Sequence, residues 1–261
     1  MPFDTHNHTQ FSFDCEMRLE DALSKAQESH LNLIITEHCD LNERQEDGSS
    51  VEFPIEEYFA KYKAYRGNHL LLGIELGLDN RAAYIARNRA IVEKHSFDFV
   101  IGSVHNIQDY DICSDQGKNF LPKPDFFAHY LIYAENTINK NPFIDTFAHI
   151  DYPCRYLQYR DNVLRYSEYS ILLDNFLSAL IHHDICLEIN LRLIDQKDFR
   201  EGLNSIVRRY RELGGEYVTI GGDNHTPEAI GTKFHLGVEM ARENHLIPVY
   251  FKNRKRIIDD L

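Results

Sequence analysis

Short apolar runs alternate with helix-like segments along the whole chain, and seven of those runs carry or end in histidine or acidic side chains. The first, Met1-Pro2-Phe3, opens a strand into Asp4-Thr5-His6-Asn7-His8; the others cover residues 31–36, 70–76, 97–104, 143–148, 185–191 and 217–221. Between them, residues 18–29 set Leu19, Ala22, Leu23 and Ala26 at helical spacing. Further helices are read over 54–66, 82–95, 126–140, 166–183 and 228–244, and one around Leu203, Ile206, Val207 and Tyr210 that Gly214-Gly215 terminates. The acidic stretch 40–53 reads as a loop. So do roughly eighteen residues after His105, a length that points to function rather than mere connection. A short apolar segment, 246–251, completes the chain.

Alternation of this kind implies parallel strands joined by right-handed crossovers. Such units either close into a barrel or lie open as a doubly wound sheet, and the polar residues decide between them. Barrel chemistry gathers at the carboxyl ends of many strands around one axis. Here candidate ligands follow six strands, and an open sheet would hold several of them too far apart to meet. The expected fold class is α/β, a TIM-like barrel. With 261 residues the chain is long enough for one large core, and a single domain over 1–261 is expected.

The candidate ligands are His6, His8, Asp14, His38, Glu75, His105, His149, Asp223 and His225. Residues i and i+2 of a strand share a face, so His6 and His8 offer two imidazoles side by side. Imidazole and carboxylate without thiolate suit zinc, iron or manganese, and no CxxC is present. Nine ligands exceed the need of one ion, so two to three divalent metal ions are expected. Glu75 is the best bridge, because its strand lies between those bearing His38 and His105. The structural alternative is a satisfied polar residue near a strand end, or for Glu75 an ion pair. Water bound to such ions ionises near neutral pH and becomes a nucleophile. A net charge of −13 argues against a nucleic-acid partner, so any positive field for a small phosphate ester is local. Five cysteines without paired spacing fit reduced thiols in the cytoplasm. No segment approaches a membrane-spanning length.

The motifs His6-x-His8, Glu37-His38, Gly73-Ile74-Glu75, Ser103-Val104-His105, His149-x-Asp151 and Gly222-Asp223-Asn224-His225 resemble, in order and spacing, those of the polymerase-and-histidinol-phosphatase (PHP) family. The resemblance implies a distorted (βα)7 barrel with a trinuclear metal site. Carried over, one ion falls to His6, His8, Glu75 and Asp223, a second to Glu75, His105 and His149, and a third to Asp14, His38 and His225. Two positions depart from the pattern. Glu37-His38 stands where the family often has Asp-His, which puts Glu37 behind the ligands, and Asp14 stands where some members have His.

The same resemblance implies a phosphoric monoester hydrolase acting on L-histidinol phosphate in histidine biosynthesis. Alternatives are a phosphodiesterase or nuclease on small nucleotides and a non-catalytic metal-binding module. Asp223, Glu75 and His225 are the candidate catalytic residues, with Asp223 or a metal-bound water as proton donor to the leaving alkoxide. Arg160 and Arg192 are candidate phosphate clamps; the alternative is two surface arginines in weak salt bridges, and Arg155 ranks behind them. Glu16, with Asp109, Tyr110 and Asp111, is a candidate for the amine end of the substrate.

Overall fold

The structure is a computed structural model and describes residues 1–44, 50–113 and 121–261. β1 (Phe3–Asn7) leads through α1 (Leu19–Glu28) to β2 (Asn32–Arg44), β3 (Ser50–Glu52) and α2 (Ile55–Tyr62). β4 (Leu70–Gly77), α3 (Ala82–Lys94) and β5 (Phe99–Ser103) follow, then a small hairpin of β6 (Asn106–Ile107) and β7 (Tyr110–Asp111). The second half runs α4 (Lys123–Lys140), β8 (Thr146–Phe147), α5 (Ser170–His182), β9 (Cys186–Asn190), α6 (Lys197–Glu212) and β10 (Tyr217–Gly221). It ends with α7 (Phe234–Glu243), β11 (Ile247–Lys252) and β12 (Lys255–Ile258).

β1, β2, β4, β5, β8, β9 and β10 pair in that order, each parallel to the next. β10 returns to β1 at the carboxyl ends. Asn7 and Asn224 form a parallel bridge, the Asp223 N–H donates to the His6 carbonyl at 2.8 Å, and the His8 N–H donates to the Asn224 carbonyl at 2.9 Å. This return brings the first and last of these strands together, as in a TIM-like barrel. Strand alternation then sorts the side chains: in β4, Leu70, Leu72, Ile74 and Leu76 pack in the layer shared with the helices, while Leu71 joins an inner cluster. Glu75 has the same parity as Leu71. β1 breaks the alternation through a register shift between Asp4 and Asn7, which lets Phe3 reach the inner cluster and His6, three residues on, still face inward.

That inner cluster is the floor of the barrel. Phe3, Ile34, Leu71, Phe99 and Ile101 meet Val249 and Phe251 of β11, with Phe251 stacked on Phe99 and Tyr250 on Phe3. β11 and β12 form an antiparallel hairpin whose turn residues, Asn253 and Arg254, both have positive φ, at 51° and 62°, as a tight two-residue turn requires. Buried Asp98 receives the Asn253 N–H at 3.0 Å, and Arg254 Nε donates to Asp145 Oδ2 at 2.6 Å.

Several expected boundaries move, among them the helix expected over 228–244, which begins at Phe234 after a 3-10 turn, Pro227–Ala229. The stretch 40–53 is not a plain loop: β2 continues to Arg44 and pairs with β3, Cys39 opposite Glu52. The loop after His105 contains the β6–β7 hairpin, and its residues 114–120 lie outside the described ones, as do 45–49. The expected helix over 166–183 opens as a 3-10 turn, Tyr166–Glu168, before α5. Among the described residues no helix is long and apolar enough to cross a membrane.

Candidate metal centre

All nine expected ligands meet above the floor, around Glu75. Its Oε2 lies 2.9 Å from His38 Nδ1, 3.3 Å from His6 Nε2 and 3.5 Å from His8 Nε2; its Oε1 lies 2.9 Å from His149 Nε2 and 3.4 Å from His105 Nε2. Asp223 Oδ1 stands 3.5 Å from His8 Nε2 and 3.6 Å from His225 Nδ1. Asp14 Oδ2 closes the outer side, 3.2 Å from His225 Nε2 and 3.7 Å from His38 Nε2. Asp223 and His149 both hold positive φ, 53° and 28°, conformations that cost a non-glycine residue energy and cluster at functional sites.

Behind the ligands stands a layer of acids that the motifs did not single out. Glu188 Oε1 lies 2.8 Å from His6 Nδ1, and its Oε2 accepts the His149 N–H at 2.9 Å. Asp40 Oδ1 lies 2.8 Å from His105 Nδ1. Two glycines leave the room these acids occupy. A Cβ at Gly77 would come within 2.1 Å of Asp40 Oδ1, and one at Gly221 within 2.2 Å of Glu188 Oε1. Glu188 is a carboxylate inside a strand, a signal present in the sequence; Asp40 sat in a stretch read as loop.

His6 Nδ1 is taken up by Glu188, and its Nε2 stands 3.1 Å from His8 Nε2. Glu75 Oε2, Asp40 Oδ2, His38 Nδ1 and His149 Nδ1 are buried without a well-aligned hydrogen bond. Orphaned buried polar atoms of this kind call for cations, and the donor chemistry suits zinc, iron or manganese. Charge reflects the same crowding. Burial alone would raise Glu75, but His6, His38 and His105 hold it well below the usual carboxylate range. Burial also opposes ionisation of Asp223, yet Arg155 and His6 keep it well below that range. Burial, with His38 and His225 nearby, keeps His8 well below the ordinary imidazole value.

Residues 4–192 match the PHP domain. This chain belongs to the PHP family. It is 39% identical to a probable histidinol-phosphatase of Clostridium acetobutylicum, over 97% of this chain and 98% of the relative. A histidinol-phosphatase of Lactococcus lactis subsp. lactis is 28% identical over 92% of this chain and 88% of its own length. A crystal structure of histidinol phosphate phosphatase from Lactococcus lactis subsp. lactis, complexed with zinc, L-histidinol and phosphate, superposes with a TM-score of 0.91 at 25% identity, covering 99% of both chains.

The PHP-family centre opens into a cleft of about 380 Å3 lined by both acidic and basic groups, among them Asp14, Asp111, Arg155, Arg192 and Asp223. Of the two arginines favoured from sequence only Arg192 is there, with its NH1 donating to the Asp223 carbonyl at 3.1 Å. Arg160 is exposed and outside the cleft. The 3-10 turn Tyr152–Arg155 after β8 aims Arg155 inward instead, NH1 2.6 Å from Asp223 Oδ2 and NH2 donating to Asn190 Oδ1 at 2.9 Å. Glu16 is exposed and likewise outside the cleft, and Asp109 is turned to Arg81 at 2.7 Å. Of the candidates for the amine end, Asp111 alone lines the cleft.

Proposed function

We propose that this chain is a metal-dependent phosphoric monoester hydrolase that converts L-histidinol phosphate and water to L-histidinol and phosphate in the cytoplasm. One observation carries the reading: two arginines, Arg155 and Arg192, face the same cleft as six of the candidate ligands, Asp14, His38, His105, His149, Asp223 and His225. A phosphate oxygen set matches guanidinium on one side and metal on the other. The likeness to histidinol-phosphatases over nearly the whole chain supports the substrate, and five cysteines without paired spacing in the sequence support a reducing compartment.

His6, His8, Asp14, His38, Glu75, His105, His149, Asp223 and His225 would hold two to three divalent ions, with Glu75 shared between them. Bound there, such ions supply Lewis acidity and lower the pKa of water. The chain's own residues do the rest. Arg155 and Arg192 orient the phosphate. Asp223, kept ionised by Arg155 and His6, would accept the proton of the attacking water and pass it to the leaving alkoxide oxygen. Asp111 lines the cleft with Phe13 and Tyr156; its carboxylate would meet the substrate ammonium, and the two rings its imidazole.

The test is a substrate panel on the metal-loaded protein. L-Histidinol phosphate is expected to exceed glycerol phosphate in kcat/KM by at least about 100-fold, worth roughly 2.7 kcal/mol of transition-state binding. Equal rates, or a preference for a small nucleotide or a phosphodiester, would defeat the assignment. Failure to hydrolyse even p-nitrophenyl phosphate would reduce the site to a metal-binding module.

A further inference from the structure

The hydroxyl of Ser12 is a junction. Its Oγ lies 2.6 Å from Glu37 Oε2, 3.0 Å from His8 Nδ1 and 3.1 Å from the backbone N of His38. Ser12, Glu37 and His8 are all buried, so water does not compete for these positions. A hydroxyl has one hydrogen to give and two lone pairs to receive with, and all three positions are taken. The backbone N–H of His38 can only donate, which uses the first lone pair.

Glu37 fixes the direction of the second contact. Its Oε2 also receives the Thr9 N–H at 3.1 Å, and its Oε1 receives the Thr9 hydroxyl, which in turn has Tyr62 OH at 2.8 Å. Donors converge on both oxygens, so Glu37 is the acceptor and the Ser12 hydrogen goes to it. One lone pair of Ser12 then remains, and it faces His8 Nδ1. That nitrogen must carry the hydrogen.

We propose that Ser12 is a positioning residue that fixes His8 in the Nδ1–H form and so turns the His8 Nε2 lone pair onto the metal centre. The inference rests on the metal reading of the site but on no turnover step. The Ser12 link answers a geometric problem peculiar to this ligand. His6 and His105 reach their acids directly, through Glu188 and Asp40. Glu37 precedes His38 on β2 and so points to the opposite strand face, where it meets Tyr62 of α2 through Thr9. No carboxylate contacts His8 Nδ1 among the described residues. Ser12 carries the hold of Glu37 around the strand edge to it.

The experiment reads the tautomer directly. In metal-free full-length protein labelled with 15N-histidine at pH 8, the His8 ring nitrogens are expected to give the Nδ1–H pattern. Ser12→Ala is expected to lose that pattern and to weaken zinc binding, measured by competition with a chromogenic chelator, by about 10- to 100-fold. Ser12→Thr keeps the hydroxyl and is expected to restore both. An Nε2–H pattern for His8 in the unmodified protein would overturn the proposal without recourse to any variant. So would Ser12→Ala with unchanged tautomer and zinc affinity. Neither measurement involves hydrolysis, so failure of L-histidinol phosphate as substrate and failure of this proposal are separate results.

Discussion

Arg155→Ala and Arg160→Ala form the most discriminating pair of substitutions, because sequence and structure rank the two arginines in opposite order. Arg155 has a side chain only 10% exposed and sits 2.6 Å from an Asp223 carboxylate that is itself 3% exposed. Removing it deletes a phosphate contact and leaves a buried charge without its partner, the costly half of a broken ion pair. Truncating one member of such a hydrogen-bonded pair costs about 2–5 kcal/mol in binding. At about 1.4 kcal/mol per tenfold, kcat/KM for L-histidinol phosphate is expected to fall roughly 30- to 5,000-fold. Arg155→Lys is expected to recover only part of the loss. One ammonium cannot reproduce the two-pronged hold on Asp223 and Asn190. Arg160→Ala, exposed and outside the cleft, is expected to change kcat/KM less than about threefold, consistent with a surface charge. The assay is steady-state kinetics with metal content measured on the same preparations, so that loss of an ion is not mistaken for loss of a phosphate contact. Full activity in Arg155→Ala at normal metal content would refute the reasoning, and a collapse in Arg160→Ala would reverse it.

Chelation is expected to abolish hydrolysis, and Glu75→Gln to lose metal as well as turnover, because one carboxylate faces five imidazoles; atomic absorption on the dialysed variant checks it, and a fully loaded variant contradicts it. A pH effect is expected far from the site. Burial pushes the Asp259 carboxyl up to about 6 against the pull of the Phe3 N–H. A folded pKa above the unfolded 3.8 gives stability that is full below the unfolded value and fades as pH rises toward 6. Chemical denaturation of Asp259→Asn beside the unmodified protein is expected to show the difference between them shifting in the variant's favour from pH 4 to 7, and parallel profiles would contradict it.

The candidate ligands were legible in the sequence because barrel chemistry gathers at strand ends, and strand ends are marked by apolar runs. His6, His38, Glu75, His105, His149 and Asp223 were found that way. What holds them was less visible. Glu37 faces the helix layer while its neighbour His38 faces the lumen, and Asp40 belongs to a strand that runs on into an acidic stretch with no apolar periodicity. Arg155 and Arg160 differ only in the 3-10 turn that aims one inward, and such a turn leaves no periodic trace. β12 reads Lys255-Arg256-Ile257-Ile258, too charged to be taken for a strand alone, and is held by its pairing with β11.

The floor hairpin of β11 and β12 has a kinetic consequence. It fills the amino-terminal end of the barrel with Val249 and Phe251, so among the described residues the cleft is closed at that end and traffic uses the other. Phosphate would sit at its closed end beside Glu75 and Arg155, and the alcohol toward Phe13 and Asp111. The alcohol is then first out and phosphate last. Inorganic phosphate should therefore compete with substrate for the empty enzyme, whereas L-histidinol should inhibit noncompetitively.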